Sequence, residues 1–239
     1  MEVISDREHI LLAVIDRLRI VRATDAAWLA GYTDYTYCRK CLRKLCGMGL
    51  LQICRDSAGS NCYYLSGRGL AVLGKQTSHT YEVSATTHHA LVVGRVCAWL
   101  RHTEGASPGE LLTDSVLRSK GDKQRHRPDI VFRGCAYEVE LNHKPLSLLE
   151  KNIRDNNNYQ QQVWVAPDNR PSIAKNLNNC AQRVGVRIQT ISLAEIEKQV
   201  ATANIHKNKR DTGTWDEIES VVSMPETHSM SKYTSYFKK

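Results

Sequence analysis

The sequence predicts a mixed α/β (α+β) protein with two folded domains, and three observations carry this prediction. Three segments with helical periodicity are followed by two short strand-like runs within residues 1–75. A second region, 81–200, combines helical segments with strand-like runs, among them strand–helix–strand near its end. The short polar stretch 74–80 lies between the two regions and predicts a linker. Residues 201–239 are polar and basic with little periodicity, which predicts a mobile tail.

Composition favours a polyanion as partner and disfavours export or membrane insertion. The chain has 239 residues and a formal net charge of +8, and a basic chain attracts nucleic acid first of all. Charges interrupt the apolar residues of the amino-terminal segment, which predicts an amphipathic helix rather than an export signal. No apolar run is long enough to span a bilayer. We therefore expect a cytoplasmic protein whose eight cysteines are reduced thiols.

Three closely spaced cysteines, Cys38, Cys41 and Cys46, raise the question of zinc. A structural zinc site needs four ligands, usually supplied as two spaced pairs. This cluster lies inside a helical pattern and has no second CxxC pair. The spacing therefore favours packed thiols over a metal site.

The first region has the element order of a DNA-binding fold. Helices are predicted at 6–19, 24–31, 34–47 and 67–73, and strands at 49–53 and 62–65. Three helices before a two-stranded ribbon, together with the phrase GLL…Y-LS-GR-G, resemble the winged-helix family. That resemblance implies a third helix in the DNA major groove and a hairpin against the backbone.

The third helix carries the residues expected to contact DNA. Its basic and aromatic side chains are Tyr35, Tyr37, Arg39, Lys40, Arg43 and Lys44. Cations neutralise phosphates, and tyrosine hydroxyls bond phosphates or base edges. A solvated helix face is the plainer alternative.

The second region is predicted to contain a β-hairpin. We predict a helix at 84–100, strands at 111–117, 163–166 and 186–191, and a helix at 172–184. Within RPDIVFRGCAYEVELNHK, two apolar strands flank Arg133-Gly134. With these two residues as the loop, Asp129 faces Glu138 and Arg127 faces Glu140.

Strand alternation then predicts an acidic face and an apolar face. If the strand persists, Glu138, Glu140, Asn142 and Lys144 share one face. Tyr137, Val139 and Leu141 occupy the other face, which suits a core.

Three carboxylates, those of Asp129, Glu138 and Glu140, therefore converge. Like charges across a ladder repel, and a hard divalent cation with oxygen ligands would compensate them. Such an ion activates water and neutralises charge developing on a phosphodiester. Lys144 would add a positive charge beside the phosphate, and Asn142 would orient a water. The alternative is an exposed strand face on which Arg127 pairs with Glu140.

Two adjacent histidines, His88 and His89, are weaker catalytic candidates. On a helix they point about 100° apart, so only one can face the site. That one would orient water or touch the scissile phosphate. A packed or helix-capping histidine is at least as good an interpretation. No tyrosine is obviously placed as a nucleophile, so metal-activated water is the simpler chemistry, with a covalent tyrosine left open.

The PD…ExE pattern resembles the PD-(D/E)xK nuclease superfamily, which has a restriction-endonuclease-like fold. This resemblance implies that Asp129, Glu138 and Glu140 bind Mg²⁺ or Mn²⁺. The family usually has Lys at the last position, where this sequence has Glu140, as some members do. Lys144 is then a substitute for the missing lysine.

Over about residues 5 to 170, the order of a winged helix, His88-His89 and RPDIVF…YEVEL resembles the MOBC-type relaxases of mobilizable plasmids. These are related to replication-relaxation proteins. The resemblance implies nicking of one strand at a transfer origin, within a relaxosome that holds accessory and coupling proteins. Its partners would be double-stranded and single-stranded plasmid DNA. Two rivals remain: a non-catalytic replication initiator or transcriptional regulator, and a restriction-like enzyme that cuts both strands.

Overall fold

The computed structural model describes residues 3–76, 80–119 and 126–202, which form a mixed α and β structure with two sheets. Its helices are α1 (Asp6–Leu18), α2 (Ala23–Leu29), α3 (Tyr35–Gly47), α4 (Gly67–Val72), α5 (Thr87–Glu104), α6 (Asp114–Ser119), α7 (Leu146–Asp155), α8 (Pro171–Val184) and α9 (Leu193–Thr202). Its strands are β1 (Ile20–Arg22), β2 (Leu51–Arg55), β3 (Asn61–Leu65), β4 (Leu112–Thr113), β5 (Ile130–Phe132), β6 (Cys135–Val139), β7 (Gln161–Ala166) and β8 (Gln189–Ser192). A short 3-10 helix, Asn156–Asn158, follows α7.

The first sheet has the order β1-β3-β2, and both strand pairs are antiparallel. Helix α1 begins at a capping box, in which the Glu8 amide donates to Ser5 Oγ and the Ser5 amide donates to Glu8 Oε2. Helix α3 begins after Asp34, whose carboxylate accepts the Thr36 amide at 2.7 Å. These local signals explain why the predicted bounds of α1 and α3 agree closely with the structure.

The second sheet has the order β4-β5-β6-β7-β8. Pairs β4–β5 and β5–β6 are antiparallel, whereas β6–β7 and β7–β8 are parallel. One face packs on the main core, which holds Tyr137, Val139 and Val163. The other face, with Trp164 at its centre, packs on α7 and α8. The sheet is therefore covered on both sides where β6 and β7 lie.

Helix α5 joins the two sheets into one continuous hydrophobic core. It packs against α2 and β1 on one side and against β6 and α9 on the other. The core cluster runs from Leu11 and Leu42 in the first region through Val96 to Val165 in the second. The shared core thus fixes the position of the first sheet relative to the second sheet.

Several elements differ from the sequence prediction. The run predicted as one strand at 111–117 is a two-residue strand followed by α6, because Asp114 begins a helix there. Strand β1 was missed, since three residues show no alternation. Helices α7 and α9 were also missed. For the polar run 152–162, the sequence slightly favours a polar exposed helix over side chains lining a DNA groove, whereas α7 spans Leu146–Asp155 and buries Leu149, Asn152 and Ile153.

The thiol prediction agrees with the structure. Cys38 and Cys41 are buried, Cys46 is partly buried, and all three are free. Among the described residues, no helix is long and apolar enough to cross a membrane.

Candidate functional site

The hairpin that carries the acidic residues has the predicted register. Ile130 pairs with Tyr137 and Phe132 with Cys135, so Arg133 and Gly134 form the two-residue loop. Both loop residues have positive φ, 48° and 78°, as a tight turn of this kind requires. The position of Asp129 opposite Glu138 follows from this register.

Asp129 lies just before β5 and is held against β6. Its Oδ2 accepts the backbone N–H of Val139 at 2.8 Å. Its Oδ1 lies 2.9 Å from His89 Nε2. Both carboxylate oxygens are therefore fixed, one by the neighbouring strand and one by helix α5.

The two histidines have different environments. His89 faces Asp129 and its side chain is 38% exposed, whereas His88 lies on the exposed side of α5. Helical geometry separates them as expected. The structure thus brings His89 and not His88 to the acidic residues.

Glu138 and Glu140 are both buried, at 6% and 2% exposure. They lie on the opposite side of β6 from Tyr137, Val139 and Leu141, which are also buried. The alternative of an exposed acidic strand face is therefore wrong. Two carboxylates buried on one strand need specific partners.

Glu138 has two such partners that the sequence did not indicate. His126 Nε2 lies 2.6 Å from Glu138 Oε1, and Asn156 Nδ2 donates to the same oxygen at 2.7 Å. Asn156 is fully buried in the 3-10 helix. His126 ends a basic loop, and Asn156 lies in an asparagine-rich run, so neither position carried a recognisable motif.

Glu140 is paired with Lys144, whose Nζ lies 2.7 Å from Oε2. The prediction that Asn142 and Lys144 continue the strand face is wrong, because β6 ends at Val139. Past the strand the chain turns, and Lys144 reaches back to Glu140. Arg127, which was predicted to face Glu140, has its Nε 2.8 Å from Asp114 Oδ1.

The electrostatics of the cluster follow from burial and mutual repulsion. Burial, and next the charge of Glu138, raise the pKa of Asp129 well above its usual value. Burial also raises the pKa of Glu140, although Lys144 partly offsets this. Burial and the charge of Lys144 lower the pKa of His89, which favours the neutral imidazole. These mutual influences place Asp129, Glu138, Glu140, Lys144 and His89 in one electrostatic site.

The donor chemistry of this site fits a hard divalent cation. A divalent cation stabilises the ionised form of buried carboxylates that would otherwise repel one another. Among the described residues, Asn156 Oδ1 is buried without a hydrogen-bond partner and offers a further oxygen. In the same part of the chain, no three His, Cys, Asp or Glu side chains already form a metal-holding group. A shared ion would therefore require side-chain rotations that exchange the histidine contacts of Asp129 and Glu138 for the metal.

The residues predicted to contact DNA lie on α3, which packs against α2 and β2. Tyr37, Arg39, Lys40 and Arg43 are exposed, and Tyr35 is partly buried. The Arg39 guanidinium lies 5.7 Å from the Tyr35 ring centre. Lys44 differs from the others, because its Nζ lies 3.0 Å from the buried Glu8 carboxylate. Lys44 therefore attaches α3 to α1 as well as adding positive charge.

No family model matches this chain, and no curated protein or solved structure matches it either. What the protein does must therefore be inferred from the chemistry of these residues.

Proposed function

We propose that the protein is a metal-dependent, site- and strand-specific DNA-nicking endonuclease of the plasmid mobilization relaxase kind. It would act in the cytoplasm at a transfer origin. One observation carries the proposal: the β5–β6 hairpin brings Asp129 and Glu138 together, with His89 and Lys144 in the same electrostatic site. Buried carboxylates, among them Asp129 with its raised pKa, beside a lysine and a histidine are a common composition of phosphodiesterase sites.

A winged-helix assignment for the first part of the chain is supported by its element order. Helices α1, α2 and α3 are followed by the antiparallel ribbon β2–β3, which β1 extends to three strands. In that arrangement α3 would enter the major groove and the ribbon would lie against the backbone. The exposed cations of α3 would then select and hold the duplex.

A nuclease-like assignment for the second part is supported by its mixed sheet. A hairpin carrying acidic residues is joined to parallel strands, with helices on both faces. A divalent cation, Mg²⁺ or Mn²⁺, held by Asp129, Glu138 and Glu140 would activate water and neutralise charge on the phosphodiester.

The chain's own residues would divide the remaining work. Lys144, which reaches Glu140, would place a positive charge beside the attacked phosphate. His89, whose pKa burial and the charge of Lys144 lower, would accept or orient a water proton. Asn156 would hold the Glu138 carboxylate in place.

The proposed partners follow from the same function. Duplex DNA would be the site selected, and single-stranded DNA would appear after nicking. Relaxosome accessory and coupling proteins would contact the rest of the surface. The predicted tail, 201–239, lies outside the described residues apart from 201 and 202.

Incubation of the full chain with supercoiled plasmid bearing a transfer origin tests the proposal. With Mg²⁺ or Mn²⁺ we expect open circles and no linear product, because one catalytic centre cuts one strand. A chelator should abolish the reaction. Agarose electrophoresis reads the products, and a plasmid without the origin is the control. Linear product would indicate the restriction-like alternative, and intact plasmid despite site-specific binding would contradict nicking.

A non-catalytic initiator or regulator is the second candidate. One observation favours it: His126 and Asn156 already satisfy one oxygen of Glu138 within the chain. The exposed cations of α3 would serve DNA binding equally well in such a protein. The plasmid experiment separates the two candidates directly.

A further inference from the structure

A cavity of about 650 Å³ opens between the start of α3, the β2–β3 turn and the helices α5 and α9. It shares no residue with the acidic site. The lining residues that matter here are Arg22, Tyr35, Arg39, Asn61, Tyr63 and Arg95. Three guanidinium groups and two phenol rings thus surround one space.

Two of the three arginines are fixed in position by carboxylates. Arg95 Nε lies 3.0 Å from Oδ1 of Asp25, which is fully buried, and Arg95 also donates to Thr24 Oγ1. Arg22 Nε lies 2.8 Å from Asp56 Oδ2. A guanidinium has five N–H donors, so donors remain for a ligand after these contacts.

The wall formed by the β2–β3 turn is equally fixed. Asp56 Oδ1 accepts the amides of Ala58 and Ser60 at 3.0 and 2.8 Å. The turn therefore holds Asn61 and Ser60 in place beside the opening. A cavity with walls set by buried ion pairs and turn hydrogen bonds is preformed for a ligand.

The third arginine and the tyrosines give the cavity its selectivity. Arg39 lies over the Tyr35 ring, and within the described residues it forms no ion pair. Tyr63 is buried in the wall at 3% exposure. Arginine beside tyrosine suits a planar base, since both groups stack on π-faces, and guanidinium groups bind phosphate.

The charged residues that line the cavity favour a ligand that is an anion and also carries hydrogen-bonding groups. Two carboxylates also line the space, those of Asp56 and Glu197, against three arginines. Asp56 is neutralised by Arg22, which leaves Glu197 to accept from N–H groups of a base, such as the ring N–H of thymine. This composition favours a nucleotide over a simple inorganic anion or an apolar ligand.

We propose that this cavity binds one nucleotide, with its base against Tyr35 and its phosphate on Arg39 and Arg95. The nucleotide would be free or would belong to a single DNA strand. This nucleotide site depends on the proposed function in one respect, which is that DNA is the substrate. It adds a second, single-strand site beside the helix that would hold the duplex.

Binding in chelator, without catalysis, tests this separately from nicking. The probe is a short fluorescein-labelled oligodeoxythymidine read by fluorescence anisotropy, with unlabelled deoxythymidine monophosphate as competitor. Tyr35→Ala and Arg39→Ala should each weaken oligonucleotide binding about tenfold, the loss expected for a stacked base or a charged phosphate contact.

Control variants lie outside α3 and do not line the cavity. Arg118→Ala and Arg183→Ala remove exposed arginines of α6 and α8, which pair with Asp114 and Glu150. They should leave oligonucleotide binding within about twofold of the wild type. Thermal unfolding of all four variants checks that each one folds.

The outcomes distinguish the sources of the nucleotide. Competition by the monophosphate supports a cavity that takes free nucleotides as well as strands. No competition, with the Tyr35 and Arg39 losses present, supports a nucleotide bound only within a strand. Equal losses in all four variants, or none in Tyr35→Ala and Arg39→Ala, would overturn the proposal. Absence of plasmid nicking by the wild type would contradict the acidic site alone, because the binding assay runs in chelator and needs no catalysis.

Discussion

Glu138→Ala is expected to lower the rate of plasmid nicking by more than about a hundredfold. Loss of a partner outside the metal's own ligands already costs 10- to 100-fold in affinity or activity. Glu138 would be a ligand itself, and it also repels Asp129 most strongly among the charged neighbours. Duplex binding through α3 should be unchanged, because α3 packs beside the first sheet, whereas Glu138 lies in the second sheet. Rates come from open-circle formation over time, and binding from anisotropy of a labelled duplex.

Two further variants control this experiment. Glu110→Ala removes an exposed carboxylate that contacts Arg133 at the hairpin turn and accepts the Ser107 amide, and nicking should persist. Glu138→Gln keeps the side-chain volume between His126 and Asn156, so it separates loss of charge from collapse of the site. Normal nicking by Glu138→Gln and Glu138→Ala would show that the acidic site is misassigned.

Arg95→Ala is expected to lower the free energy of unfolding by about 3–5 kcal/mol near pH 8. It removes the only cation at hydrogen-bonding distance from the fully buried Asp25 among the described residues. Removing one partner of a buried ion pair strands the other charge, which costs about this much. Urea unfolding followed by circular dichroism measures the change.

The loss of unfolding free energy caused by Arg95→Ala should be smaller near pH 5 than near pH 8. Burial raises the pKa of Asp25 to about 6, from an ordinary value of 3.8. The folded protein therefore holds an extra proton between those values, and this group's contribution to stability falls as pH rises through that window. Near pH 5 Asp25 is mainly neutral, so losing Arg95 costs less.

Arg118→Ala is the matched control for this prediction. Arg118 pairs with Asp114 on the surface, with its side chain 65% exposed. Its loss should change stability by less than about 1 kcal/mol at either pH. An Arg95→Ala loss as small as that of Arg118→Ala, or one that grows toward pH 5, would contradict the account of the Asp25–Arg95 pair.

Much of the fold was predictable because its signals are local. Caps at Ser5 and Asp34 fix where α1 and α3 begin, and the Arg133-Gly134 loop fixes the hairpin register. That register, once known, brings Asp129 to Glu138 without further information. Alternation along β6 also placed Tyr137 and Val139 in the core.

The remaining features depend on contacts between distant segments, which no local pattern encodes. The burial of Glu138 and Glu140 comes from α7 and α8 covering their face of the sheet, and the sequence did not predict α7 with these bounds or this packing. His126 and Asn156 reach Glu138 across 12 and 18 residues. The cavity beside Tyr35 needs α5 and α9, which lie far along the chain.

Crystals soaked in Mn²⁺ and measured at the manganese absorption edge test the central claim most directly. We expect one anomalous peak within about 2.5 Å of carboxylate oxygens from Asp129 and Glu138, with Glu140 close by. The side chain of His89 or His126 should move from its present contact to make room. A fully occupied manganese ion found only elsewhere on the surface, while Asp129 and Glu138 keep their histidine contacts, would contradict a metal-dependent nuclease site here.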